Sequence, residues 1–381
     1  MTSSGMSMMY LPFFIVAHPM AQLLGYEADG YSLPYRFALA MSSIFYLFIG
    51  LIFLRKFLLN YFSKGIVAIT ILTITLITNL LWYVIFEPAM SHVFSFALIS
   101  AFLYYTDNWL ESPSIKQTIL LGLLVGIISL IRPTNVVIVI LLIFWKVTTL
   151  ANLKTRIMFF IERWYLVLIM LLMFTIVWTP QIIYWKYVSG SYFYYSYPKS
   201  QGFFFLNPQL FNTLFSWRKG FLIYTPVMAF ALLGIGLLYK NKKEFFWPVL
   251  IYFLISWYII SSWWSWWYGG SFGLRPTIDS YGVYSIGLAT FLTWVSKSTH
   301  YKKTILISLF IISVFLSGWN FQKYKGGSIH WDSMTREAYF DSFWRIHPTP
   351  TFHEKIRKPD DKLARKGIYK YKDENYKLSE E

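Results

Sequence analysis

Residues Ser261–Gly282 read SSWWSWWYGGSFGLRPTIDSYG, and apolar runs flank this stretch on both sides. Four Trp (Trp263, Trp264, Trp266 and Trp267) stand close together, followed by Gly269-Gly270, Gly273-Leu274-Arg275-Pro276 and one acid, Asp279. So much glycine forbids a continuous helix. So much tryptophan suits the membrane–water boundary, where the ring is buried and its N–H stays wet. The stretch therefore reads as a shaped pocket at one face of a membrane protein.

Composition supports that reading. The chain has 381 residues, 56% hydrophobic, 21% aromatic and 14% charged, with a mean hydropathy of +0.47. Soluble domains carry about 25% charged residues, so an all-α polytopic membrane protein is expected. The net charge of +16 would suggest nucleic acid in a soluble chain. Here the basic residues cluster in short loops between apolar runs, so no nucleic-acid partner is expected. Cysteine is absent and the six His form no HxxxH-type pair. Neither a disulfide, a thiol nucleophile nor a dedicated metal site is expected.

Working outward, about ten apolar runs approach the length a bilayer needs: 34–54, 64–86, 88–105, 117–131, 134–150, 164–186, 221–240, 245–263, 276–296 and 304–320. Arg132-Pro133-Thr134 divides the fourth from the fifth, as a tight hairpin or a kinked element. Residues 1–33 form a separate segment: Met8–Leu24 is apolar but short and broken by Pro12 and Pro19, so an outer-face interfacial or re-entrant helix is expected. Residues 34–320 make the multi-span domain. Residues 321–381 form a small polar tail, expected to be partly helical over Ser333–Trp344 and frayed after about Pro359. The aromatic connection 187–220 reads as a membrane-surface loop with one amphipathic helix at Pro208–Trp217.

Charge sets the expected orientation. One set of loops holds Arg55, Lys56, Lys64, Lys116, Lys154, Arg156, Arg163, Lys240, Lys242, Lys243, Lys297, Lys302 and Lys303. The opposite set holds Arg36, Arg132, Lys186, Lys199, Arg218, Lys219 and Arg275. The richer set alternates correctly and is expected to be cytoplasmic. Glu87, the Trp-rich stretch and the C-terminal tail then lie outside. So does the N-terminus, which leads us to expect a first helix before Met1.

The first 320 residues carry few acids: Glu27, Asp29, Glu87, Asp107, Glu111, Glu162, Glu244 and Asp279. Asp107, Glu111, Glu162 and Glu244 read as solvated loop residues. Glu27, Asp29, Glu87 and Asp279 fall on the outer side beside turns and aromatic loops, where a cap role and a functional role weigh equally. Glu87 and His92 sit close in EPAMSH and suit acid/base work or a helix cap. Arg132 and Arg275 suit phosphate or carboxylate, and equally suit snorkelling to headgroups. Gly269 and Gly270 would let backbone approach a ligand.

The runs FEPAMSHVFSFALISAFLYY, GLLVGIISLIRPTNVVIVILL and WWSWWYGGSFGLRPTIDSYG resemble the membrane glycosyltransferases of the GT-C superfamily. The likeness is to bacterial relatives of protein O-mannosyltransferases and lipid-A aminoarabinose transferases, over about residues 5–320. The resemblance implies a multi-pass enzyme of the bacterial plasma membrane that moves a sugar from a polyprenyl-phosphate carrier to a glycan, lipid or protein acceptor outside the cytoplasm. It implies an acidic motif in a first outer loop, which MSMMYLPFFIVAHPMAQLLGY would follow and which this chain lacks.

On that reading catalysis falls to Glu87, Asp29 and His92. Binding falls to Arg132, Arg275, Trp264, Trp267, Gly269, Gly270 and Asp279, with Arg275 on the carrier phosphate and Trp264 and Trp267 stacking on lipid or sugar. No organic cofactor is expected, and a divalent cation is left open. Two other classes stay in view: a lipid-linked glycan transporter or flippase, which would place polar residues at mid-span depth and show inverted repeats, and an inactive fragment of such an enzyme.

Overall fold

A computed structural model describes residues 3–198 and 200–372, and among these no strand is present; Lys199 lies outside the described residues. The helices run in order α1 Ser4–Leu23, α2 Leu33–Leu59, α3 Lys64–Leu76, α4 Leu80–Ile85, α5 His92–Glu111, α6 Ile115–Ile131, α7 Val139–Phe144, α8 Leu150–Glu162, α9 Trp164–Ser189, α10 Leu210–Phe215, α11 Phe221–Tyr224, α12 Ala229–Asn241, α13 Lys243–Ser262, α14 Tyr281–Ser296 and α15 His300–Gly326. Short 3-10 segments, Pro133–Ile138, Pro226–Met228 and Arg275–Ser280, lead into α7, α12 and α14. The tail adds α16 Arg336–Asp341, α17 Phe352–Lys355 and α18 Asp361–Ala364.

Every expected apolar run is helical. Among the described residues, four helices are long and apolar enough to cross a membrane: α2, α9, α13 and α15. The others are shorter or broken. The run 64–86 breaks at Ile77–Asn79, and Arg132-Pro133 turns the chain back as a hairpin, because Pro133 cannot donate to the preceding turn. The ends follow local chemistry. Ser114 caps α6 by accepting from the Gln117 N–H, and α9 and α15 stop at Gly190 and Gly327, both left-handed.

Glycine sets the helix crossings. A Cβ on Gly234 would lie 1.8 Å from the Gly287 carbonyl oxygen, and one on Gly287 would lie 2.3 Å from that of Ala231. α12 and α14 therefore touch backbone to backbone. Gly122 and Gly126 meet Met170, Met173 and Val177 of α9 in the same way, a four-residue spacing of small residues suited to helix contact in lipid.

α2 and α5 run parallel, with Tyr46 against Phe94 at 5.1 Å and Phe53 against Tyr104 at 5.6 Å. α1 runs antiparallel along the first half of α2, pairing Phe13 with Phe45 and Phe14 with Tyr35. Its Leu11, Ile15 and Val16 remain exposed, as a lipid-facing surface would be.

Two charged clusters mark the ends of α5. At one end His92 meets Asp279 and Arg132. At the other, Asp107 accepts from the Tyr61 hydroxyl at 2.6 Å and from the Trp145 indole at 3.0 Å, and pairs with Lys146 at 2.9 Å. Asp107 is thus buried rather than a solvated loop acid, because the α6–α7 hairpin returns Trp145 and Lys146 to it. Glu111 and Glu162 are exposed as expected. The rise from His92 to Asp107 is about 22 Å, less than the roughly 30 Å of a hydrocarbon core. The His92 end is called the site end below, and the Asp107 end the basic end.

The tail is not a loose appendage. Ile329, Met334, Ala338, Tyr339 and Phe352 form a small core with Tyr224 and Phe272. Instead of fraying after Pro359, the chain bridges Pro359 to Tyr371, and Ala364 packs under the Trp-rich loop. The apolar side chains of the tail explain this: they bury against Tyr224, Phe272 and the tryptophans of the Trp-rich loop.

Candidate functional site

The site end is built on Asp279, 2% exposed. Its Oδ1 lies 2.8 Å from His92 Nδ1, and its Oδ2 accepts from Asn135 Nδ2 at 2.8 Å. Arg132 Nη1 stands 3.4 Å from Oδ2 and 3.0 Å from His92 Nδ1. A carboxylate beside an arginine stays ionised, so Nδ1 carries the proton and donates it to Asp279. Three elements meet here: the start of α5, the α6–α7 hairpin and the 3-10 turn before α14. A buried charge is stable only when paired and hydrogen-bonded, and Asp279 meets both conditions. The cluster acts as a keel that joins these elements.

The turn leading into α14 is fixed from the other side by the break in α3–α4. Asn79 donates to the Phe272 carbonyl at 3.2 Å, and Tyr83 OH accepts from the Phe272 N–H at 3.2 Å. Tyr281 donates to Asn79 Oδ1. These bonds hold Phe272–Leu274 in place and so set where Arg275 emerges.

Arg275 differs from Arg132. Its guanidinium is half-buried and forms no ion pair among the described residues; its hydrogen bond goes to the Met90 thioether at 3.6 Å. Glu87, also half-buried, accepts from the Trp82 indole at 2.9 Å and likewise has no ion pair among the described residues. Both charges lie within electrostatic reach of Tyr83, Lys219 and Tyr324.

Other expected site residues fall elsewhere. Asp29 sits in a local turn, where its Oδ1 accepts from the N–H groups of Tyr31 and Ser32. Those bonds hold its carboxyl below the usual range, which makes it a weaker base. It makes no contact with the Asp279 cluster among the described residues. Trp264 and Trp267 are buried beneath the tail. Arg365 covers Trp264, while Arg218 lies between Trp267 and Tyr371. Their faces are occupied by cations rather than open to lipid or sugar. A Cβ on Gly270 would lie 2.8 Å from the Trp331 ring, so the close approach expected there is made by the tail. Gly269 has open space around it, in a left-handed turn that it shares with Tyr268 (φ 59°). For a tyrosine that backbone is strained, and the Tyr268 hydroxyl holds it by donating to the Ile260 carbonyl at 2.9 Å.

Two residues have roles that the sequence reading did not assign: Asn135, and Lys219, which it counted only as a loop charge. Asn135 is a short polar side chain in a hairpin, and only its pairing with a residue 144 positions away gives it a role. Lys219 is completely buried, and its ammonium donates to the Ser271 and Trp331 carbonyls, fastening the tail to the Trp-rich loop. Burial pushes its pKa down to about 7.

A narrow cleft, with space for little more than a water molecule, leads to the keel between Arg132, Asn135, Tyr252, Ser256 and Ser280. No cluster of His, Asp and Glu among the described residues could hold a metal ion. No family model, no curated protein and no solved structure matches this chain.

Proposed function

We propose that the chain is a membrane glycosyltransferase that takes a sugar from a polyprenyl-phosphate carrier and passes it to an acceptor hydroxyl at the site end, on the extracytoplasmic side. The observation that carries this reading is the Glu87–Arg275 arrangement: opposite charges, half-buried, both within electrostatic reach of Tyr83, Lys219 and Tyr324, and unpaired among the described residues. The likeness of the EPAMSH, LIRPTN and GLRPTIDSYG runs to GT-C enzymes points the same way, and the uneven loop charges support the orientation.

The chemistry follows from those two side chains. Glu87 takes the proton of the acceptor hydroxyl, whose oxygen attacks the anomeric carbon. The bond from that carbon to the phosphate oxygen breaks, and the carrier phosphate leaves with the electron pair. Arg275 faces the charge that develops on it. Attack opposite the leaving group inverts the anomeric centre. His92, Asp279, Asn135 and Arg132 do not touch the reacting atoms; they fix the start of α5, which follows Glu87, against the turn that begins at Arg275.

The test is transfer of labelled sugar from polyprenyl-phosphate donors in proteoliposomes. Wild type is expected to transfer, with Glu87→Gln and Arg275→Ala each lowering kcat by about a hundredfold or more. Equal rates in all three proteins would remove both assignments. A wild type that moves the intact lipid-linked sugar across the bilayer without transfer would favour the flippase reading.

A further inference from the structure

We propose that α8 is an in-plane anchor that binds the anionic phospholipid headgroups of the membrane face at the basic end. The sequence LANLKTRIMFFIE places two contrasting faces on one helix. Phe159 and Phe160 turn inward against Trp109, and the Arg156 guanidinium donates to the Trp145 carbonyl at 2.9 Å. These contacts bracket α8 to the ends of α5 and α7. On the opposite side Leu150, Ile157, Met158 and Ile161 are exposed, and no residue of α8 is buried.

Such an apolar face needs an occupant, and the neighbouring elements identify it as lipid. α9 begins immediately after Arg163 and is long, apolar and mostly unburied within the protein, as a lipid-facing span is. Its first residues, Trp164 and Tyr165, are exposed aromatics, the residue types that gather at headgroup level. The corner between α8 and α9 therefore lies at the membrane boundary, and the exposed face of α8 continues the lipid-facing surface of α9. A helix with apolar residues on one side and basic residues beside them lies in the interface and favours anionic lipid.

The charge is complementary. Lys154 is exposed within the outward face, and Lys116 is exposed at the start of α6 on the same end. Arg163 lies over the Phe159 ring, 4.6 Å from its centroid, and its ion-pair partner is Glu162, 3.7 Å away and itself exposed. This inference does not depend on the catalytic proposal.

Because the chain has no cysteine, single spin labels can be placed cleanly. Positions 157 and 161 lie within about 40° of each other around the helix, while 155 lies about 160° from 157. In phosphatidylglycerol-containing nanodiscs, labels on Ile157→Cys and Ile161→Cys are expected to be open to oxygen and shielded from an aqueous nickel relaxant. A label on Thr155→Cys should show the reverse. Neutralising Lys154 and Arg163 to Gln should weaken the preference for phosphatidylglycerol over phosphatidylcholine about fivefold per charge, read by competition with a labelled lipid. Nickel access at 157 and 161 equal to that at 155 would overturn the anchor. Shielding of 157 and 161 from both relaxants would mean a protein partner, and would overturn it too. An unchanged lipid preference in the Gln variants would overturn the headgroup assignment.

Discussion

Replacing Asp279 by Asn removes one charge from the keel and leaves its shape. In the native cluster Oδ2 accepts from Asn135 at 2.8 Å and faces Arg132 at 3.4 Å, while Oδ1 faces the His92 N–H. An asparagine there keeps one acceptor for three donors and turns an amide N–H₂ toward one of them. Arg132 is 22% exposed, so its charge is screened only in part and loses its carboxylate. Breaking a buried ion pair by removing one partner costs about 3–5 kcal/mol. The residual exposure of Arg132 places the expected loss near the lower end, about 3 kcal/mol. The assay is the thermal unfolding midpoint of purified protein in a fixed detergent, at one scan rate. Wild type, Asp279→Asn, Arg132→Gln and the double variant are compared. In the double variant the orphaned charge is gone, so its loss should fall short of the sum of the singles by about 1–3 kcal/mol. If Asp279→Asn behaves like wild type, or the two losses simply add, Asp279 is not the keystone of this end of the protein.

Gly287→Ala should destabilise by about 1–3 kcal/mol, because its Cβ meets the Ala231 carbonyl oxygen at 2.3 Å; Gly236→Ala, which meets nothing nearby, is the control, and equal midpoints would refute backbone-level packing of α12 on α14. Asp107→Ala should destabilise the basic end by about 3 kcal/mol, and a neutral result would mean that Lys146 finds water once Asp107 is gone. Lys219 binds its proton up to about 10.5 when unfolded and only up to about 7 when folded. Between those values the unfolded chain holds more protons, so stability rises with pH across that window. Lys219→Met should flatten this rise and expose the tail to limited proteolysis, and an unchanged pH slope would show that the ammonium is not buried as described.

Much of this was legible in the residue pattern. Apolar run length located the four helices long and apolar enough to cross a membrane, since lipid forces backbone bonds to close within a segment; it did not locate α8. Turn residues such as Arg132-Pro133 and Gly273-Leu274-Arg275-Pro276 located the corners. His92, Arg132, Arg275 and Asp279 stood out because charge near a bilayer is scarce. What the pattern could not carry was pairing. His92 and Asp279 are 187 positions apart, and nothing in the local period of either joins them. The same holds for Asp107, which looks like a loop acid until the α6–α7 hairpin returns Trp145 and Lys146 to it. The Trp-rich loop shows the limit most clearly: its composition reads as an open aromatic pocket, but Arg218, Arg365 and the folded tail cover Trp264 and Trp267. Tail docking depends on scattered apolar residues in a polar segment, which composition averages away.

Glu87 and Arg275 are proposed to form one working pair. The most direct measurement is transfer from a radiolabelled polyprenyl-phosphate sugar in proteoliposomes, with the product resolved from the donor lipid, for wild type, Glu87→Gln, Arg275→Ala and Arg275→Lys. A labelled acceptor is expected from wild type, with a loss of about a hundredfold or more in Glu87→Gln and Arg275→Ala, and partial recovery in Arg275→Lys, which keeps the charge but not the fork. Transfer that proceeds undiminished without either side chain, in protein that retains the wild-type unfolding midpoint, would contradict it.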